Sequence, residues 1–209
     1  MGTLRFAHPT AFRSGPAGRQ FTRPAWFAIR TLSLPVADAR AMFTALDAPP
    51  DRLDQHERNF VEKIRAHGWF GTHVMPDDEG PGFIYTTGFW LKFNFPEVIL
   101  FSMRRQTAHD TFWTIYRELD AGRRPPIGEP TDAIFENVTA VFLPVSSRQY
   151  PNYLGWSRWF YGNDEFECLQ LVYPDRDGHF PWAAEASAEV RAAQPDLTDG
   201  NWQGLRKVS

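Results

Sequence analysis

Between Trp69 and Met103 the chain alternates apolar and polar residues in three short bursts, Trp69–Met75, Gly82–Trp90 and Pro96–Met103, parted by turn-forming residues. Each has the length and period of a β-strand. In the first, Trp69, Gly71 and His73 share one face while Phe70, Thr72 and Val74 share the other. In the second, Phe83, Tyr85, Thr87 and Phe89 alternate with Ile84, Thr86 and Gly88. Val98–Phe101 is apolar without a break, as in a strand buried on both faces. The acidic, Gly-containing stretch Asp77–Gly82 predicts a hairpin loop, and Leu91–Phe95 a loop before the third strand. An antiparallel meander follows from this pattern.

Helical periodicity flanks the meander. A helix is expected from Asp51 or Asp54 to His67, with Leu53, Phe60, Val61 and Ile64 as its stripe and Gly68 as its stop. A second is expected over Thr107–Ala121, ending at Gly122. Arg123–Pro130 is too rich in proline for regular structure. Ala133–Leu143 reads as a strand, Pro151–Tyr161 as a short aromatic helix and Phe166–Tyr173 as the last long strand. Asp175–Gly178 is a hairpin signal leading into His179–Trp182. Ala183–Ala193 favours helix, and the final dozen residues are expected to fray. The fold class is α+β, a mostly antiparallel sheet flanked by helices in one domain at 51–193. An extension precedes it at 1–50 and a tail follows at 194–209.

That extension has its own character. Arg5, Arg13, Arg19, Arg23 and Arg30 all precede the first acidic residue, Asp38. A docked strand over Ala25–Leu34 and a short helix over Val36–Leu46 fit a partly ordered extension lying on the domain. A basic arm for an acidic partner and an organelle transit peptide are the other readings.

Composition narrows the class. With 43% hydrophobic and 22% charged residues in 209, the chain reads as one globular domain with appendages. Its 18 Phe and 8 Trp mean that ring packing should dominate the interior. A net charge of -3 argues against broad nucleic-acid binding. No apolar run approaches the ~20 residues of a membrane helix. The single cysteine, Cys168, excludes an intrachain disulfide and suits a reducing compartment, so a cytoplasmic location is expected.

Several elements together carry a resemblance: Gly68-Trp69, Tyr85-Thr86-Thr87-Gly88, Pro96-Glu97, Gly122, and Pro174-Asp175 through Gly178, Phe180, Pro181 and Trp182. In this order they resemble the bacterial family catalogued as domain of unknown function 4262, over roughly residues 55–185. Phe89 stands where leucine is more usual in that family, a conservative departure. The resemblance implies a fold and no established activity.

Candidate chemistry gathers at the strand ends. Tyr85, Thr86 and Thr87 offer hydroxyls beside Gly88, where a backbone can be approached closely. His73 lies on the neighbouring strand and Glu97 opens the next. Together they would supply a base, a donor and an acid for general acid–base work. Against this stands a plain structural role, with the threonines in strand contacts and Glu97 as a cap or surface partner. Gly88, Trp156, Asp175 and Trp182 are further candidates for lining a ligand pocket. Asp175 also suits a turn organiser, Trp182 a core plug and Trp156 burial rather than base stacking. Asp77–Glu79 is best read as a solvated turn. Asp175–Gly178 lacks the calcium-loop spacing, and His56-Glu57 fails as a zinc motif because Phe60 stands at the second histidine position. Cys168 sits in an apolar strand and reads as packing.

Three functional classes remain open. The first is a domain with a small-ligand pocket at the strand ends, general acid–base catalysis being one reading of it, its cofactor unknown. The second is a protein-interaction or partner-neutralising module whose arm meets an acidic protein. The third, from loose topology alone, is a flavin-binding split barrel.

Overall fold

The computed structural model describes residues 44–200 and Trp202. The expected strand over Ala25–Leu34 and most of the Val36–Leu46 helix lie outside them. The described elements are α1 (Gln55–His67), β1 (Phe70–Val74), β2 (Phe83–Thr87), α2 (Phe89–Phe93), β3 (Glu97–Phe101) and α3 (Arg105–Asp120). There follow β4 (Pro130–Thr131), β5 (Ala140–Pro144), α4 (Tyr150–Tyr153), α5 (Gly155–Tyr161), β6 (Cys168–Val172) and α6 (Ala188–Ala193).

One open sheet organises them in the order β1-β2-β3-β6-β5-β4. The meander forms as expected, with β1 antiparallel to β2 and β2 to β3. β6 then lies parallel to β3, pairing Cys168 with Glu97. The remaining pairs are antiparallel, so the sheet is mixed but mostly antiparallel.

The period of two sorts the core onto two faces. Ile84, Val98, Leu100, Leu169 and Leu171 meet Phe112, Ile115 and Leu119 of α3 on one face. Tyr85, Ile99, Phe101 and Cys168 meet Phe60 and Ile64 of α1 and Phe160 and Tyr161 of α5 on the other. β3 is buried on both faces, as its unbroken apolar run requires. Asp54 caps α1 in a reciprocal capping box with Glu57, and Gly68 closes it in the left-handed conformation at φ 82°.

Several expectations need correction. The chain turns helical at Phe89 rather than staying extended to Trp90 and then looping. Of the expected Ala133–Leu143 strand only Ala140–Leu143 falls in β5, while Ile134 and Phe135 are buried in the α3-side core outside any strand, Phe135 making no more than an isolated bridge. Within the supposedly irregular Arg123–Pro130 loop, Ile127 bridges to Phe142, and Pro130 pairs with Val141. The aromatic helix breaks at Leu154 into α4 and α5. Asp175–Gly178 turns as expected, but His179–Trp182 is not a returning strand. Its ring pair Phe180 and Trp182 stacks at 4.6 Å instead and packs on Val141, Leu143 and Val172. The last helix starts only at Ala188, with Ser187 as its cap. Beyond it, Leu197, Thr198 and Trp202 are buried, so this part of the tail packs rather than frays.

Candidate functional site

Glu97 is the centre of the strand-end cluster. Pro96 delivers it to the first position of β3, where its side chain reaches back to the end of β2 and the start of α2. Thr86 Oγ1 donates to its Oε2 at 2.6 Å. The amides of Gly88 and Trp90 donate to Oε1 at 2.7 and 3.1 Å, and the Phe89 amide lies 3.4 Å from Oε2. The Tyr161 hydroxyl donates to Oε1 as well. Both oxygens are therefore filled by internal donors.

This explains the α2 correction. The amides of Gly88, Phe89 and Trp90 begin a helical turn whose first N–H groups have no partner within the helix. A carboxylate seven to nine positions later in sequence supplies one, which no local pattern around Phe89–Phe93 signals. Thr86 is used twice, since its oxygen also accepts from the Val98 amide at 2.9 Å.

The rest of the corner closes around this knot. Gly88 takes φ 120°, and a Cβ there would lie 2.4 Å from the Gly68 carbonyl oxygen and 2.9 Å from Trp69 Cα. Thr87 Oγ1 shares a 2.7 Å hydrogen bond with Ser157 Oγ, and Ser157 also donates to the Thr86 carbonyl at 3.3 Å. The Tyr85 hydroxyl accepts from the Trp156 amide at 3.1 Å. Thr86, Thr87 and Glu97 are all 0% exposed. Burial pushes the Glu97 carboxyl above its ordinary value, opposed by the hydrogen bonds from Thr86, Tyr161, Gly88 and Trp90. Desolvation and the adjacent Glu97 raise the Tyr161 phenol and the Cys168 thiol well above theirs.

Of the residues nominated from sequence, Thr86, Gly88 and Glu97 meet directly, and Tyr85 and Thr87 tie the same strand to α5. His73 does not join them. It pairs with Ile84 on the edge strand β1, away from the Thr86 end of the hairpin. Trp156 offers one ring face to Phe60, stacked at 4.9 Å. Trp182 packs at the far end of the sheet against Trp202, with centroids 5.5 Å apart.

Asp175 is equally remote and organises its turn. It accepts from the amides of Asp177 and His179 at 3.1 and 2.9 Å and, across the loop, from Ser187 at 3.0 Å. The Ser187 bond first, then those of His179 and Asp177, hold its carboxyl below the ordinary value of 3.8. A carboxyl lowered on folding stabilises above its unfolded pKa, and that contribution is lost as pH falls through the lower folded value. Asp175→Ala is therefore expected to cost about 1–3 kcal/mol at pH 7 and clearly less near pH 2, by urea unfolding. A pH-independent cost would remove the charge from the explanation.

Ser157 and Tyr161 were missed as members of the knot. They stand four apart on α5 and so share a face, but within a run of aromatic residues that spacing reads as ordinary core.

A family described as Domain of unknown function (DUF4262) matches residues 63–187. No curated protein and no solved structure matches the chain. The matched span contains Gly68-Trp69, Tyr85–Gly88, Glu97, Ser157 and Tyr161, and stops short of the arginine-rich extension. Among the described residues, no helix is long and apolar enough to cross a membrane, and no group of three or more His, Cys, Asp and Glu is placed to hold a metal ion.

Proposed function

The chain belongs to the DUF4262 family, and from that premise, which brings no activity with it, we propose that it works as a protein-interaction module. The observation that supports this reading is the closure of its most reactive-looking cluster. Glu97, Thr86 and Thr87 are 0% exposed and bonded to partners within the fold. General acid–base chemistry needs the acid or base within reach of a substrate proton, and here the corner would first have to open. Its polar groups serve the fold, which leaves the surface and the arm to carry function.

The arm indicates the kind of partner. Arg5, Arg13, Arg19, Arg23 and Arg30 stand before any acidic residue, while the whole chain is net -3. The domain is therefore more acidic than the total, and the arm is of opposite sign. An acidic protein surface is the partner class this arm recognises, with an on-rate that falls as salt rises.

Native mass spectrometry of the full chain from its own host tests this. A stoichiometric acidic polypeptide is expected, released by about 0.5 M salt as surface charges are screened. It should be lost when the five arginines are replaced by glutamine. A bound small molecule retained by that variant, with no polypeptide, would overturn the reading in favour of a ligand pocket.

A further inference from the structure

A second polar–aromatic cluster lies near the first, and unlike it this one meets solvent. Lys92, on the last turn of α2, holds its Nζ 4.4 Å from the Tyr116 ring centroid and 5.1 Å from that of Phe93. Those two rings stand edge to face, with centroids 5.1 Å apart and planes at 76°. The Tyr116 hydroxyl contacts the same ammonium, and an Asp120 carboxylate oxygen lies 3.9 Å away. Trp113 backs the box, 5.0 Å from Tyr116. The side chains of Lys92 and Asp120 are 37% and 61% exposed.

The lysine stem lies along Gly68, where a Cβ would come 2.7 Å from Lys92 Cδ. The backbone does not need the head group to stay. The Lys92 amide bonds to the Gly88 carbonyl at 2.9 Å whatever the side chain does.

We propose that Phe93, Tyr116 and Asp120 form a binding site for a weakly hydrated alkylammonium ion, a quaternary or methylated amine, which Lys92 occupies in the free protein. Two ring faces at a steep angle, with a carboxylate beside them, present converging negative potential to a cation. A primary ammonium is compact and strongly hydrated, so it gives up more on entering such a box than a methylated one does. Lys92 holds its place through tethering, which supplies a high local concentration. An incoming quaternary ammonium displaces it into water without disturbing α2. This site needs neither the arm nor a protein partner, so it goes beyond the function proposed above.

The test is titration with tetramethylammonium chloride against sodium chloride at matched ionic strength, followed by tryptophan fluorescence, with Trp113→Phe to assign the signal. Removing the tethered competitor in Lys92→Ala is expected to tighten binding ~10-fold over wild type. Adding Tyr116→Leu should weaken it at least as much again, and adding Asp120→Asn, at an exposed position, by several-fold. In wild type the ring-shifted Hε resonances of Lys92 should move toward their free-chain positions as the cation saturates, a readout that needs no variant. A folded Lys92→Ala protein with no saturable response overturns the proposal. So does binding indifferent to Tyr116 and Asp120, or a Lys92 resonance that stays in place at saturation.

Discussion

Glu97→Ala is expected to cost roughly 3–5 kcal/mol of folding stability in urea unfolding at neutral pH, whereas Glu97→Gln costs under about 1.5 kcal/mol. Alanine leaves the Trp90 amide and the Tyr161 hydroxyl without the oxygen they donate to, and the Gly88 amide with only the Tyr161 oxygen at 3.1 Å, at about 1–3 kcal/mol for each buried group left unpaired. It also opens a cavity where Glu97 is 0% exposed. Glutamine keeps the shape. Its carbonyl oxygen can take the Oε1 place before the two amides, and its NH2 can donate to Thr86 Oγ1, whose hydrogen then turns elsewhere. An alanine variant within about 1 kcal/mol of wild type would mean that the corner does not depend on this carboxyl.

The same pair of proteins fixes the sign of the charge effect. Burial raises the Glu97 carboxyl above the ordinary 4.5, so the fold prefers the protonated form. Its contribution is present in full below the unfolded value and is lost as pH rises through the higher folded value. Relative to Glu97→Gln, wild type should therefore gain stability as pH falls toward about 4.5. Carboxyls such as Asp175, lowered on folding, pull both proteins the other way and cancel in the difference. A gap that widens against wild type on acidification would show that the donors around Glu97 outweigh its desolvation.

The meander was legible because period-two alternation is a local signal, and Val98–Phe101 announced burial on both faces by having no polar residue at all. α1 was legible from Asp54 and Gly68, each acting within a turn of the helix it bounds. α2 was not. Five residues cannot nucleate a helix by propensity, and the group that caps this one comes from β3. Ala133–Leu143 misled for a related reason, since Ile134 and Phe135 are apolar to fill the core beneath α3 rather than to begin β5. At the site, Thr86, Gly88 and Glu97 could be grouped because turns of the meander bring their strand ends together. Whether such a group encloses a cavity or a knot depends on α5 arriving with Ser157 and Tyr161 from about seventy residues away. No spacing within the meander encodes that arrival. His73 failed by register: the antiparallel pairing sets it opposite Ile84, two positions from Thr86, whose own partner is Gly71.

Gly88→Ala is expected to be the most damaging single-methyl change in the domain, for two separable reasons. At φ 120° an L-residue is strained whatever surrounds it. Gly122 and Gly162, at φ 75° and 69°, carry left-handed strain too, yet a Cβ on either meets nothing within 4 Å. Alanine at those positions should cost about 1–2 kcal/mol. At Gly88 the same methyl strikes the Gly68 carbonyl oxygen and Trp69 Cα, backbone atoms that cannot rotate aside as a side chain would. Moving them shifts the end of α1 and the start of β1, and it pulls the Gly88 amide off Glu97. The expected loss is therefore at least about 2 kcal/mol beyond that of Gly122→Ala or Gly162→Ala, enough to leave a marginal domain largely unfolded. Urea midpoints for the three variants decide it. Equal losses would show that backbone conformation alone requires the glycine, and that the Gly68–Trp69 crossing has room to yield.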